Sequence, residues 1–420
     1  MTALVADSAR LVLDRGLPGG RGARAGGGSA ERPNPLGKSR DHGFREGRRM
    51  AQQTLSWASS LPRVAGCRRV PWGRVRVRVQ DGNAHLAGVQ LCGSVWACPT
   101  CAARIRRHRA VEVGSAVANH MEAGGSAWMI TLTARHRQGQ SLDRMLDAVV
   151  EGFRRVLAGR AAVAEKSELH VTGIIRAVEV TYGDNGWHPH VHCVLLLDSE
   201  PDAAALARAM ARWSRTWRQF LAARGYEPSL GRGVTWVRVD RAEEAGAYLV
   251  KTQDGHGLGN ELVRGDLKRG RLGSLTPFEL LTYAGLTGDA DAVLLFREFE
   301  QASHGRKALT WTPGLRRRLL GTPRQLTDEE IVEEEVGGVD VAVFTPEHWR
   351  SIAQVDGLIT EILAAAEGTD TVSAFDAIAA LLAPHRITPS RPDGGPPAPP
   401  PEPRNSRFVV RDLPCQGSTA

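Results

Sequence analysis

The stretch Gly186-Trp187-His188-Pro189-His190-Val191-His192-Cys193-Val194-Leu195-Leu196-Leu197 decides the fold. In a strand, residues two apart share a face. Val191, Cys193 and Leu195 then form an apolar side for a core. His190 and His192 share the other side, with His188 in the same alternation. Two imidazoles at this spacing can hold one divalent ion. Just upstream, Gly183-Asp184-Asn185-Gly186 is a turn by composition, and Ile174–Tyr182 reads as a strand. A hairpin centred on Asp184-Asn185 places Glu179 opposite His190. Directly paired side chains lie about 5 Å apart, which makes Glu179 a third candidate ligand. A one-residue bulge would turn it to the other face.

Further elements follow on either side. Ala127–Thr133 reads as a strand. Ser141–Leu157 fits an amphipathic helix, with Leu142, Met145, Leu146, Val149, Val150 and Phe153 on one stripe. Asp202–Arg224 reads as a helix with Trp213 and Trp217 one turn apart, Val234–Val239 as a strand and Arg241–Lys251 as a helix. The order β-α-β-β-α-β predicts an α+β fold with an antiparallel sheet of the ferredoxin-like, split βαβ type. One sheet face packs on the two helices, and the other is free for chemistry. On the last helix, Glu244, Tyr248 and Lys251 share a side. A phenol has a pKa of about 10 and needs a nearby positive charge to act as a nucleophile. A carboxylate in reach can activate water.

The cysteines are Cys67, Cys92, Cys98, Cys101, Cys193 and Cys415. The spacing Cys92-x5-Cys98-x2-Cys101 supplies three thiolates for a structural zinc ion, which takes four ligands. Cys67 is the favoured fourth, with His85 and His108 as competitors. Such a site would hold Arg104, Arg106, Arg107 and Arg109 on a helix for contact with DNA.

Charge is uneven along the 420 residues. The first 125 residues carry a net +12 and the remainder a net −4, so the N-terminal third suits a polyanion. No apolar run is long enough for a membrane helix. The N-terminus lacks a secretion signal, so a cytoplasmic protein without membrane contact is expected. The chain divides into a disordered basic tail (1–55), a zinc-binding module (60–124), the βαββαβ domain (125–255) and a helical basic region (256–325) ending in Arg316-Arg317-Arg318, also candidates for DNA contact. An acidic helical unit (326–386) and a Pro-rich disordered tail (387–420) complete it.

Three motifs then stand in order on one frame: Met129-Ile130-Thr131-Leu132-Thr133, His188-Pro189-His190-Val191-His192 and Tyr248-Leu249-Val250-Lys251. The combination resembles HUH endonucleases, specifically rolling-circle plasmid replication initiators. The strings Cys92-Gly93-Ser94-Val95-Trp96-Ala97-Cys98-Pro99-Thr100-Cys101 and Gly186-Trp187-His188-Pro189-His190 are similar to those of the actinobacterial type. The resemblance covers residues 60–320. It implies Mg²⁺ or Mn²⁺ at His190, His192 and Glu179, with Tyr248 as nucleophile in nicking and joining single-stranded or hairpin origin DNA. It further implies Lys251 as its charge partner, Glu244 as activator of water, and a host helicase and DNA polymerase as partners. A transposase or mobilisation relaxase shares the same centre, and a non-catalytic zinc-ribbon DNA-binding regulator is the distant alternative.

Overall fold

The structure, a computed structural model, describes residues 35–227, 233–242, 245–246, 275–321, 324–334, 337–368 and 370–392. Its elements in chain order are α1 (Pro35–Ala58), β1 (Pro71–Gln80), β2 (Asn83–Val89), α2 (Pro99–Glu122), β3 (Ser126–Thr133), α3 (Leu142–Val156), α4 (Arg160–Glu168), β4 (Val171–Gly183), β5 (Gly186–Leu197), α5 (Ala203–Ala222), β6 (Val234–Arg238), α6 (Pro277–Thr287), α7 (Ala290–Ser303), β7 (Leu309–Trp311), α8 (Leu315–Leu320), α9 (Asp328–Glu333), β8 (Val339–Phe344), α10 (Pro346–Gln354), α11 (Leu358–Ala366) and α12 (Thr371–Leu382).

A five-stranded antiparallel sheet has the order β6-β3-β5-β4-β7. The hairpin β4–β5 closes through Gly183↔Gly186 around Asp184-Asn185. Gly186 ends that turn at φ +86°, a left-handed value that glycine adopts without a Cβ clash. Strand β5 inserts between β3 and β4, so two crossing helices lie on the same side. That side is the main core. Val191, Cys193 and Leu195 of β5 meet Met145, Val149 and Phe153 of α3 and Trp213 and Trp217 of α5. Both indoles are buried with partners: Trp213 Nε1 donates to Glu165 Oε1 at 2.6 Å and Trp217 Nε1 to the Thr133 carbonyl at 3.0 Å. The stripe on α3 is buried as its periodicity predicts, with Val150 at the margin.

The opposite face, which the sequence reading expected to be free, is partly covered. Helix α2 lies over part of it, and Val113 and Val117 pack on Met129, Ala177, Val194 and Leu196. The histidine end of the face is left for chemistry.

Three other expectations change. Helix α1 runs through residues read as disordered tail, because Ala51, Leu55 and Ala58 bury one side in the main core beside Leu281 and Ala284 of α6. The 256–325 region is helical where described, but it also supplies β7, the fifth strand of the main sheet. The 326–386 unit is not purely helical. Its strand β8 pairs with β1, so residues far apart in the chain build a second sheet, β2-β1-β8. Val75 and Val77 of β1 are sealed there by Trp349, Ile352, Ile362 and Ile378. Trp349 is fully buried, and its Nε1 donates to the Arg68 carbonyl at 3.1 Å. Trp349→Ala is expected to lower stability by about 3–5 kcal/mol, measured by urea unfolding; a loss under about 1 kcal/mol would mean that the two segments fold independently.

Candidate metal centres and nucleic-acid interface

The β4–β5 register is Glu179↔His190, Thr181↔His188 and Ala177↔His192. No bulge falls between these pairs, so Glu179 stays on the histidine face. Ligand atoms of Glu179, His190 and His192 all lie within 4.8 Å of one another. His192 is buried, and its Nε2 lies 3.0 Å from Glu179 Oε2. Its Nδ1 lies 3.0 Å from Thr131 Oγ1, on the residue directly opposite in β3. A ring held at one nitrogen presents the other in a fixed direction. Two imidazoles and a carboxylate suit a divalent cation that accepts N and O donors.

His188 stands beside this trio. Its ring centroid lies 3.8 Å from that of His190 and 4.1 Å from that of His136. Burial, with the neighbouring His190 and His136, pushes its pKa down to about 3, so it is a neutral ring at ordinary pH. His136 is a residue the sequence reading missed. It lies in the loop after β3, outside any periodic pattern, and only the fold brings it against His188. Thr131 was noticed as part of a motif but not as a partner of His192; its position opposite His192 was derivable only by adding the β3–β5 register.

Tyr248, Lys251 and Glu244 lie outside the described residues. Their approach is described in part. Ala245 is buried against α2, and Gly246 meets it closely: a Cβ there would lie 2.4 Å from the Ala110 carbonyl and 3.0 Å from the Gly114 nitrogen. Only glycine permits that contact.

The four thiols Cys67, Cys92, Cys98 and Cys101 converge in the core. Sulfur–sulfur distances are 3.7 Å for Cys67–Cys101 and Cys92–Cys101 and 3.6 Å for Cys98–Cys67. A tetrahedral ion with metal–sulfur bonds of about 2.3 Å has edges of about 3.8 Å. The group therefore has the size of a Cys₄ metal site, with Cys67 as fourth ligand; neither His85 nor His108 joins it. Burial pushes the Cys98 thiol up, whereas hydrogen bonds from Cys67, Cys92 and Cys98 hold Cys101 well below its usual range. Four convergent thiols at these separations suit one tetrahedral cation. Cys193 is buried on the core side of β5; Cys415 lies outside the described residues.

The arginines expected to meet DNA divide. Arg106 and Arg109 are buried. Arg106 reaches the Val95 carbonyl at 3.3 Å and lies over the Trp96 ring. Arg109 pairs with Glu112 at 2.9 Å and Asp328 at 3.0 Å. Arg316 also pairs with Glu112. Burial alone would raise the Glu112 pKa, but the Arg109 and Arg316 guanidiniums hold it below the usual carboxylate range. Arg109 and Arg316 tie α2 to the segment 316–328, Arg106 ties it to Val95 and Trp96, and all three are corrected from DNA contacts to internal partners. Arg104, half-buried, donates to the Glu334 carbonyl. Arg107, Arg317 and Arg318 are exposed, and Arg318 donates to the Thr172 carbonyl at 2.8 Å.

With this geometry in place, comparison with known proteins becomes specific. Residues 83–335 match the model of the family described as "Replication protein". The chain belongs to the replication-protein family. A Streptomyces lividans protein named "Protein rep" is 32% identical over 366 residues, covering 71% of this chain and 80% of its own length. A Streptomyces cyanogenus protein named "Neomycin resistance protein" is 27% identical, covering 35% of this chain and 42% of that one. A Bacillus amyloliquefaciens "Protein rep" is 27% identical, covering 34% of this chain and 39% of that one. No solved structure matches. The resemblance to actinobacterial plasmid replication initiators, read from the motifs, agrees with these relatives. Among the described residues of this replication protein, no helix is long and apolar enough to cross a membrane.

Metal analysis of the purified protein is expected to find one tightly held ion per chain that survives dialysis and is lost in Cys101→Ser. An unchanged metal content in that variant would rule out the thiol site.

Proposed function

We propose that this replication protein initiates rolling-circle plasmid replication by nicking and rejoining single-stranded origin DNA as an HUH endonuclease. The observation that carries the reading is the convergence of Glu179, His190 and His192 on one face of the sheet. The strand order β6-β3-β5-β4, with the hairpin strand inserted between the first two strands of the unit, supports a ferredoxin-like split βαβ frame.

Glu179, His190 and His192 would hold Mg²⁺ or Mn²⁺, which when bound supplies a Lewis acid for a non-bridging phosphate oxygen. Thr131 orients His192 for that task. The Tyr248 oxygen bonds to phosphorus as the P–O3′ bond breaks, leaving a 5′-phosphotyrosine. The phenol's proton passes to a base, and the departing 3′ oxygen takes up a proton to become a hydroxyl that primes synthesis. Lys251, one helical turn on in the sequence pattern, offsets the phenolate charge. Glu244, one turn before, activates water to end a round. The Cys67, Cys92, Cys98 and Cys101 thiols would hold Zn²⁺ as a structural ion. Origin DNA is the substrate, and a host helicase and polymerase would extend the freed end.

The packing of Gly246 on Ala110 and Gly114 supports this reading, since it anchors the chain two residues before Tyr248 to a helix that also covers the histidine sheet.

Incubation with a labelled single-stranded origin oligonucleotide and Mn²⁺ should yield a covalent protein–DNA adduct that Tyr248→Phe abolishes. Tight binding without any adduct in the unaltered protein would favour a DNA-binding regulator. His190→Ala and His192→Ala should each lower cleavage at least about 100-fold while DNA binding persists; equal loss of both would make the histidines structural. Glu244→Ala should make the first nick but fail to release the joined product, and normal turnover would remove that role.

A further inference from the structure

A cavity of about 700 Å³ lies under the edge strand β7, walled by Ile105 and Arg109 of α2 and by the segment 325–328. Strand pairing links its wall to the strand that carries Glu179. Leu309 pairs with Ala177, two residues from Glu179 on the same face, and the Val178 amide donates to the Ala308 carbonyl at 2.9 Å. Two residues along a strand span about 7 Å. The same register carried onward brings Lys307 level with Glu179.

The lining is rich in donors. Several of its cations are already engaged: Arg306 pairs with Asp143 and Asp147, and Arg109 and Arg316 share Glu112. These pairs make the wall rigid without leaving charge for a ligand. Lys307 and Arg317 differ. Both line the cavity and are exposed, and no ion pair of theirs occurs among the described residues. Trp311 lies on the same wall, half-buried, with its Nε1 enclosed and making no hydrogen bond. That nitrogen is out of a ligand's reach, so what the cavity offers is the face of the half-buried ring.

We infer that this cavity is a binding subsite for the DNA strand flanking the scissile phosphate, with Lys307 and Arg317 on its phosphates and Trp311 against a base. Positive charge beside an aromatic ring is the combination that single-stranded nucleic acid uses, because every base has a stacking face and every link a phosphate. The assignment rests on the reading of Glu179, His190 and His192 as the nicking centre. It adds Lys307 and Trp311 to the binding surface and selects Arg317 from the arginine run.

The test uses the full chain and a fluorescently labelled oligo-dT in EDTA, so that no cleavage occurs. Affinity is measured across a salt series. Lys307→Ala/Arg317→Ala should reduce the slope of log affinity against log salt by about 1.4, for two phosphate contacts at about 0.7 each. Trp311→Ala should weaken binding about 5- to 100-fold with the slope unchanged, and Trp311→Phe should recover most of it. An unaltered slope in the double variant, or equal weakening in Trp311→Phe and Trp311→Ala, overturns the subsite. The Mn²⁺ adduct assay separates this from the nicking reading. A lowered slope without any adduct in the unaltered protein retains the subsite as a DNA contact and removes the nicking centre. An adduct with an unaltered slope removes the subsite alone.

Discussion

The pairing of β4 with β5 is the constraint on which the rest depends. Side chains alternate with a period of two, so a single-residue slip would send Glu179 to the core side and leave two imidazoles without their carboxylate. The turn prevents this. Gly186 accepts a left-handed backbone, the loop stays two residues long, and Glu179 stands opposite His190. The core face reinforces the same register, since Val191, Cys193 and Leu195 must remain inside for α3 and α5 to pack.

Helix α2 links the separate parts of the molecule. Its N-terminal end carries Cys98 as cap and Cys101 in the first turn, within the thiol cluster. Its middle carries Glu112, held between Arg109 and Arg316. Its second half presents Gly114 to Gly246 and lays Val113 and Val117 on the sheet. One helix thus runs from the thiol cluster to the sheet face that carries the histidines.

The second sheet has a different logic. The family match begins at residue 83 and ends at 335, whereas β1 and β8 lie on either side of it. These flanking strands pair with each other and are sealed by α10, α11 and α12. The family region is thus closed at its two ends by a small module that neither flank forms alone. Val75 and Val77 need Trp349 above them, and Trp349 in turn needs the Arg68 carbonyl.

The local pattern by itself determined the elements around β5 and the convergence of Glu179, His190 and His192. Alternation in 187–197 named the two faces, the centring of the turn named Glu179, and the cysteine spacing named the knuckle; each is a short-range property that survives without knowledge of distant partners. Tertiary structure alone decided the rest. Arg106 and Arg109 follow a cysteine motif and look like a solvated basic face, but Glu112 and Asp328 draw Arg109 inward and Val95 and Trp96 take Arg106. The sequence around α1 is rich in Gly and Arg, and it becomes a helix because α6 offers an apolar surface more than 200 residues later. Strand β7, three residues long, is too short to declare itself, and the six-residue β8 gains its place only from its pairing with β1. Long-range pairing and burial are free-energy terms between segments, so no single segment records them.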